Sequence, residues 1–450
     1  MPPQQRRRGR RRQPQPQPPP RPAKQPQRRF TIAPGRTVPR ALVVAAGAIM
    51  ACALIAAGLF VVVRGSGSAP GAGATCDPDP NGWNGAGGGP RQTGQAVIGI
   101  HDPQRGWKPS WQYPAAGGPA ADRVAGPPSV ANGVAYTAAQ DGSLVAVDAA
   151  RGTRLWSSPP GGGEQGTVQT PIALDGCGAV LATSFGGPSG QPQGALRAVD
   201  LRSHQRRWGL QAADEIFSAP QVVDGVAYAG LSFASGTGSL DRVHYLDGYY
   251  VNDGSRGYRK RFSAAVLASA TSDHQRIWVG DLDQNVYALG PGGRQLWTYT
   301  TRGIVSLPAI LDGNTLYVAS ADHHVAALDA NSGHERWNVE VGDIQAAMAL
   351  GPGGTLIAAG AGGTVHALST ADGSERWHHD IGVPVTRAVV TAGDRVFAVD
   401  DDGALHVLDA SSGTETVTWT APAPPVGPPA IAAGHLYLTC QDGRLYALPL

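Results

Sequence analysis

A thirteen-residue stretch, Val325–Trp337 (VAALDANSGHERW), returns 40 residues later as Val365–Trp377 (VHALSTADGSERW). Recurrence at about this interval is the mark of a repeat architecture, in which each unit is too small to bury its apolar face alone and must stack on its neighbours. A third copy runs through Leu144–Asp148 with Gly152 and Trp156, and a fourth through Val286–Leu289 with Gly293 and Trp297. In all four the Gly precedes the Trp by four positions. Weaker copies keep part of the frame: Asp200, His204 and Trp208; Gly254 and Tyr258; and Asp409, Gly413, Val417 and a shifted Trp419. The last copy, Arg444–Leu448, meets the end of the sequence before any Trp.

Within a unit the apolar pattern has period two. Leu307–Leu311 precedes an Asp312-Gly313 turn, Thr315–Ala319 alternates, and a polar turn leads into Val325–Leu328. Such alternation reads as half-buried strands, and almost nowhere does a helical period replace it. At the Asp-x-x-x-Gly step the Asp side chain bonds backbone two residues on and the Gly accepts a positive φ, so the chain reverses into the Trp strand. Four short antiparallel strands per repeat with Gly-rich turns specify an all-β fold, a β-propeller. Ala-x-Asp-x-x-x-Gly-x-x-x-Trp resembles the PQQ-like propeller repeat, over about residues 111–450. That repeat is found in quinoprotein dehydrogenases, in the outer-membrane barrel-assembly lipoprotein and in many membrane-tethered bacterial propellers.

Counting units gives eight blades. Innermost strands are expected near 128–131, 171–174, 220–223, 269–272, 308–311, 347–350, 388–391 and 429–432. The eighth unit has three strands, while Pro109–Tyr113 lies upstream with no blade of its own. The strand at Trp111 is therefore expected to complete the last blade and close the ring, leaving no open edge. A competing reading pairs Ala96–His101 there as well. Trp111, Trp156, Trp208, Tyr258, Trp297, Trp337, Trp377 and Trp419 are read as apolar wedges between blades.

The amino-terminal 64 residues are different material. Residues 1–40 hold 11 Arg, one Lys, 11 Pro and seven Gln with no acidic residue, a composition that buries no core and is expected to be disordered. Residues 41–63 are 23 uncharged, mostly aliphatic positions between Arg40 and Arg64, enough to span a hydrocarbon layer about 30 Å thick as one transmembrane helix. Positive charge ahead of a lone span keeps that side cytoplasmic and exports the bulk of the chain, giving a single-pass cell-membrane protein. The portion after residue 64 carries 23 basic against 34 acidic residues. A cleaved signal peptide is the rival reading, set against the length of the apolar run; a lipid-modified Cys52 is a third. The basic tail fits attraction to anionic lipid or a plain topology signal; without interleaved aromatics it points to no nucleic acid. Residues 64–95 read as a Gly/Pro-rich linker and residues 96–450 as the propeller, expected to be monomeric. Of the exported cysteines, Cys76, Cys177 and Cys440, the last two are expected in blades two apart, which disfavours their pairing, and Cys76 stapling the linker to one of them is the pairing considered.

The resemblance implies, for its dehydrogenase members, a quinone stacked between a Trp and a disulfide of adjacent cysteines, with Ca²⁺ and an Asp base. No adjacent cysteines occur, and no catalytic residue, cofactor or metal site is assigned. Asp281–Asn285 and Asp400–Gly403 begin like Ca²⁺ loops but lack the Gly and the closing Glu, and align with ordinary strand turns. His244, His366 and His406 share one repeat position with Tyr287 and Tyr446, where polar aromatics fill gaps between blades and find a partner for their polar tips. Recognition is expected on the face built from the loops entering each innermost strand and the turns between second and third strands. Candidate residues there are Asp214, Glu215, Asp281, Arg302, His323, Asp343 and Arg387, beside enlarged loops at 184–194 and 231–240. Mixed charges around a central opening suit a protein or peptide partner, or a cell-envelope glycan. The expected role is a non-enzymatic protein-binding or scaffolding module, with a small-ligand sensor and a PQQ-dependent oxidoreductase as alternatives.

Overall fold

The computed structural model describes residues 82–84, 87–89, 91–96, 107–115, 118, 122–160, 167–168, 170–186, 192–213, 215–216, 218–234 and 242–450. The basic tail, the apolar stretch 41–63 and most of the linker lie outside these residues. Among the described residues no helix is long and apolar enough to cross a membrane.

The described strands form eight sheets. Blade 5 shows the plan: Ile310–Asp312, Thr315–Ser320, His324–Asp329 and Glu335–Glu340 pair in sequence order, each antiparallel to the last. Second and third strands are almost wholly buried, while the outer strand alternates buried and exposed positions. That gradient follows from blades packing face to face at the axis and diverging towards the rim. The innermost strands are Ser129–Ala131, Ala173–Asp175, Gln221–Val223, Thr271–Ser272, Ile310–Asp312, Ala349–Gly351, Val389–Ala392 and Ala430–Ala432, within two residues of each expected position.

The ring closes as the repeat count requires. Trp111–Tyr113 is the outer strand of blade 8, antiparallel to Arg444–Pro449, with Trp111 opposite Ala447 and Tyr113 opposite Leu445. The competing pairing for Ala96 is not what forms: Gln95–Ala96 lies parallel to the innermost strand of blade 7, beside Thr391 and Ala392.

The wedge residues explain the repeat. Trp111, Trp208, Trp297, Trp337 and Trp377 each pack on the Gly turn between the third and outer strands of the following blade, and the absent Gly side chain makes the room. A Cβ at Gly152 would stand 2.5 Å from Trp111, at Gly254 2.7 Å from Trp208, at Gly333 2.7 Å from Trp297 and at Gly413 2.5 Å from Trp377. The indole N–H donates to the carbonyl three residues before that Gly: Trp111 to Ala149, Trp208 to Val251, Trp297 to Ala330, Trp337 to Thr370 and Trp377 to Ala410, at 2.9–3.1 Å. The Asp caps the same turn; Asp329 Oδ1 accepts the N–H groups of Asn331 and Ser332 at 3.0 Å. Where His204 replaces Gly at a φ of 60°, its ring stacks on Trp156 with centroids 4.3 Å apart. A Cβ at Gly293 would stand 3.5 Å from Tyr258. In blade 7 Val417 holds the Trp register, opposite Val407, and Trp419 reaches instead to Tyr446 of blade 8, with ring centroids 5.8 Å apart.

One part of the expected linker is not a spacer. Trp83 pairs with Val130 of blade 1, its N–H donating to the Val130 carbonyl at 2.6 Å and its carbonyl accepting the Val130 N–H at 2.9 Å. Further along, the carbonyls of Arg91, Thr93 and Gly94 accept the N–H groups of Leu311, Leu350 and Thr391, on the inner strands of blades 5, 6 and 7. A Gly-rich composition suggests a flexible tether up to Gln95; the Trp83 N–H and the carbonyls of Trp83, Arg91, Thr93 and Gly94 are instead satisfied by the propeller.

Candidate binding face

Loops and turns of the expected face are pinned to each other by main-chain bonds. The Val305 N–H donates to Asp281 O and the Ala321 N–H to Ile304 O, Ala361 to Asp343 O, and Asp401 to Pro384 O, at 2.8–3.1 Å. Such loops carry their side chains on a rigid platform.

The predicted residues divide in three. Arg302, His323, Asp343 and Arg387 are exposed on this face; Arg302 gives its backbone N–H to Asp322 at 3.2 Å, leaving its guanidinium outward, and Asp343 accepts from Gln345 at 2.8 Å. Asp281 does not belong with them. It is fully buried, and its carboxylate accepts the N–H groups of Asp283 and Asn285 at 3.0 Å and the Tyr287 hydroxyl at 3.2 Å. Burial pushes its carboxyl above the usual range, opposed by these hydrogen bonds. It is a turn-forming group, and the resemblance to a Ca²⁺ loop reflects this internal capping. Asp214 lies outside the described residues, as does the Glu215 side chain; the Glu215 backbone belongs to a short strand, Glu215–Ile216, added to the edge of blade 3.

His366, His406, Tyr287 and Tyr446 find the partners expected of gap-filling polar aromatics. His366 bonds Glu375 at 2.7 Å, His406 bonds Glu415 at 2.8 Å and Asp400 at 3.2 Å, and Tyr446 donates to Asp442 at 2.5 Å. His244 bonds Ser232 at 2.5 Å. His323 sits in a turn with a φ of 71°, whereas His324 begins a strand. No cluster of three metal-ligating side chains occurs among the described residues.

A cleft of about 430 Å³ lies where the outer strand of blade 4 meets blade 5, lined in part by Tyr299, Arg302, Asp322, His324, Glu335 and Asn338. The Tyr299 hydroxyl donates to Glu335 at 2.5 Å, and Asn338 donates to both. Burial, and then the Glu335 carboxylate, hold the Tyr299 phenol above its ordinary value. Burial opposes the ionised form of Asp322, but the Ser320 hydroxyl and the N–H groups of Arg302 and His324 outweigh it and hold the carboxyl low. The floor is therefore a polar, pre-paired surface beside the exposed Arg302. Sequence reasoning missed Tyr299, Asp322, Glu335 and Asn338. Tyr299 was signalled by its place two residues after Trp297, on the same side of a strand.

Whether these residues could hold the quinone of the dehydrogenase members is decided by the groups present. The repeat Trp rings are committed to turns of the next blade, and the vicinal disulfide that would form the opposite face has no counterpart. Cys440 is a buried free thiol, and Cys177 is disulfide-bonded. The residues do not fit that cofactor.

A closed ring of eight four-stranded blades, stapled by Asp, Gly and Trp, defines a PQQ-like propeller. The chain belongs to the family described as outer membrane protein assembly factor BamB, whose model matches residues 108–240, 242–385 and 361–449. It is 29% identical over 120 residues to the assembly factor BamB of Burkholderia pseudomallei, a stretch covering 27% of this chain and 29% of that relative. The match thus spans less than a third of the curated relative. The structure of BamB from Moraxella catarrhalis superposes with a TM-score of 0.60 at 16% identity, covering 76% of this chain and all of the other. The quinohemoprotein alcohol dehydrogenase of Comamonas testosteroni superposes with a TM-score of 0.65 at 14% identity, covering 82% and 80%. At these identities the two structures share the fold alone.

Proposed function

We propose that this protein is a membrane-tethered, extracytoplasmic propeller that binds a protein partner and acts as a non-enzymatic scaffold. The observation that carries the reading is the pinned face bearing the outward Arg302, His323, Asp343 and Arg387, on a family member related to a protein named as an outer-membrane assembly factor. A rigid platform with exposed guanidinium and carboxylate groups suits a polypeptide: Arg presents a planar fork to carboxylates, and rim charges steer association. Residues 41–63 would supply the tether and residues 1–40 the cytoplasmic tail, placing the propeller outside the cell membrane. The cleft beside Arg302 favours a second reading, recognition of a small polar ligand or envelope glycan.

A photo-crosslinking residue in place of Arg302 or Arg387, in the full chain in its native membrane, distinguishes the two. Scaffolding predicts a discrete protein adduct. Absence of protein adducts, combined with thermal stabilisation by small polar metabolites, would replace it with the sensor reading.

A further inference from the structure

The described residues between Trp83 and Ala96 precede the first blade in sequence yet meet six blades in space. Beyond the four main-chain contacts with blades 1, 5, 6 and 7, the Gln92 amide donates to Gln221 Oε1 of blade 3 at 2.7 Å and to Ala270 O of blade 4 at 3.4 Å. Trp83 and Gln92 are each 2% exposed. The rim Trp residues join each blade only to its neighbour, so this central contact is of another kind.

The fit is close enough to select residues. A Cβ on Gly94 would lie 2.9 Å from both Ala349 Cβ and Met348 O, and Gly94 has a φ of 61°; a Cβ on Gly87 would lie 2.8 Å from Gln92 Cα. The segment also turns on itself, with the Gln92 N–H donating to Gly89 O and the Gly94 N–H to Gly87 O. It then leaves as Gln95–Ala96, a short parallel strand on blade 7. Main-chain pairing with an exposed strand edge is how extended peptides are recognised, with pockets for individual side chains giving selectivity. Here the edges are the inner strands, and the pocketed residues are Trp83 and Gln92.

We infer that the axial wall of the propeller is a peptide-binding site, and that its resident ligand is the chain's own segment around Trp83–Ala96. The segment is held by hydrogen bonds and packing that do not depend on its covalent continuity with the blades. It occupies the axis in cis, so a competing extended peptide enters only by displacing it. This inference stands on the fold and is independent of the scaffold reading.

The test inserts a site-specific protease sequence between Arg105 and Gly106 of the detergent-solubilised full chain and cleaves it in the presence of a reductant. Reduction removes the Cys177 disulfide as an alternative link. The inference predicts that the amino-terminal fragment co-elutes with the propeller after cleavage and is displaced by excess synthetic peptide of residues 82–96. Gln92→Ala should speed its release about tenfold, the loss expected for one buried hydrogen-bonding group; Gly94→Val should abolish co-elution. A fragment that separates at once from the cleaved wild-type chain overturns the inference. So does one that Gln92→Ala and excess peptide leave equally well retained. Should Gly94→Val fail to fold, Gln92→Ala and peptide competition still decide.

Discussion

The carbon that Gly373 lacks would stand 2.7 Å from Cε3 of Trp337, and Trp337 in turn donates its indole N–H to Thr370 O, three residues before that Gly, at 3.1 Å. The Gly of one blade and the Trp of the preceding blade are thus two halves of one joint. Their recurrence at a fixed spacing in the sequence is the recurrence of that joint around the ring.

Replacing Trp337 by Ala should cost about 3–5 kcal/mol, through lost contacts and a residual cavity. Gly373→Ala should cost about 1–3 kcal/mol by forcing an extra methyl into a packed site at positive φ. Because the first change removes the ring that the second would strike, the double variant should be less destabilised than the sum. Denaturant unfolding of the four proteins measures the difference; strict additivity would count against the joint.

Acid should weaken the turns. The Arg336 guanidinium, with Ser332 and Asn331 assisting against partial burial, lowers the Asp329 carboxyl to about 2. A carboxyl depressed in the folded state stabilises the fold above its ordinary value of about 4, and that contribution is lost as pH falls through about 2. The melting temperature of the wild type should therefore drop between pH 4 and pH 2. Asp329→Asn should melt lower than wild type at pH 7, and the gap should close near pH 2.

Thiol chemistry should separate the two described cysteines. Burial, reinforced by Asp442, pushes the Cys440 thiol up to about 12, so in the folded protein it should resist alkylation at pH 8 and react on unfolding. Cys177 should react only after reduction. Mass spectrometry of the alkylated protein reads both, and rapid native labelling of Cys440 would contradict its placement.

The exposed arginines should matter for partner capture and not for folding. Arg302→Glu combined with Arg387→Glu should lower the yield of the protein adduct about tenfold while leaving the melting temperature unchanged, because neither guanidinium is packed into the blades. Crosslinking in native membranes from a probe at exposed Asp343 provides the readout.

The blades were legible because the physics that builds them is local and periodic. Alternation marks buried strands, Asp and Gly mark the turn, and the Trp marks the joint, so even the closing strand at Trp111 followed from counting. The site was less legible. Asp281 looked like a surface carboxylate because a turn position gives no sign of depth, yet its own loop N–H groups enclose it. The Tyr299–Glu335 pair joins residues 36 positions apart on different blades, a juxtaposition that no single repeat encodes. Gly-rich residues near Trp83 read as a spacer for the same reason they fit the axis: glycine suits both a loose chain and a crowded one.

The ring is closed between Trp111–Tyr113 and Arg444–Pro449. Hydrogen-exchange mass spectrometry of the folded protein tests this most directly. Amides of Ser110–Tyr113 should exchange as slowly as the outer strands of the other blades, and removing Arg444–Leu450 should make them exchange at the rate of an unstructured peptide. Fast exchange at Ser110–Tyr113 in the intact chain, or protection that survives the truncation, would contradict it.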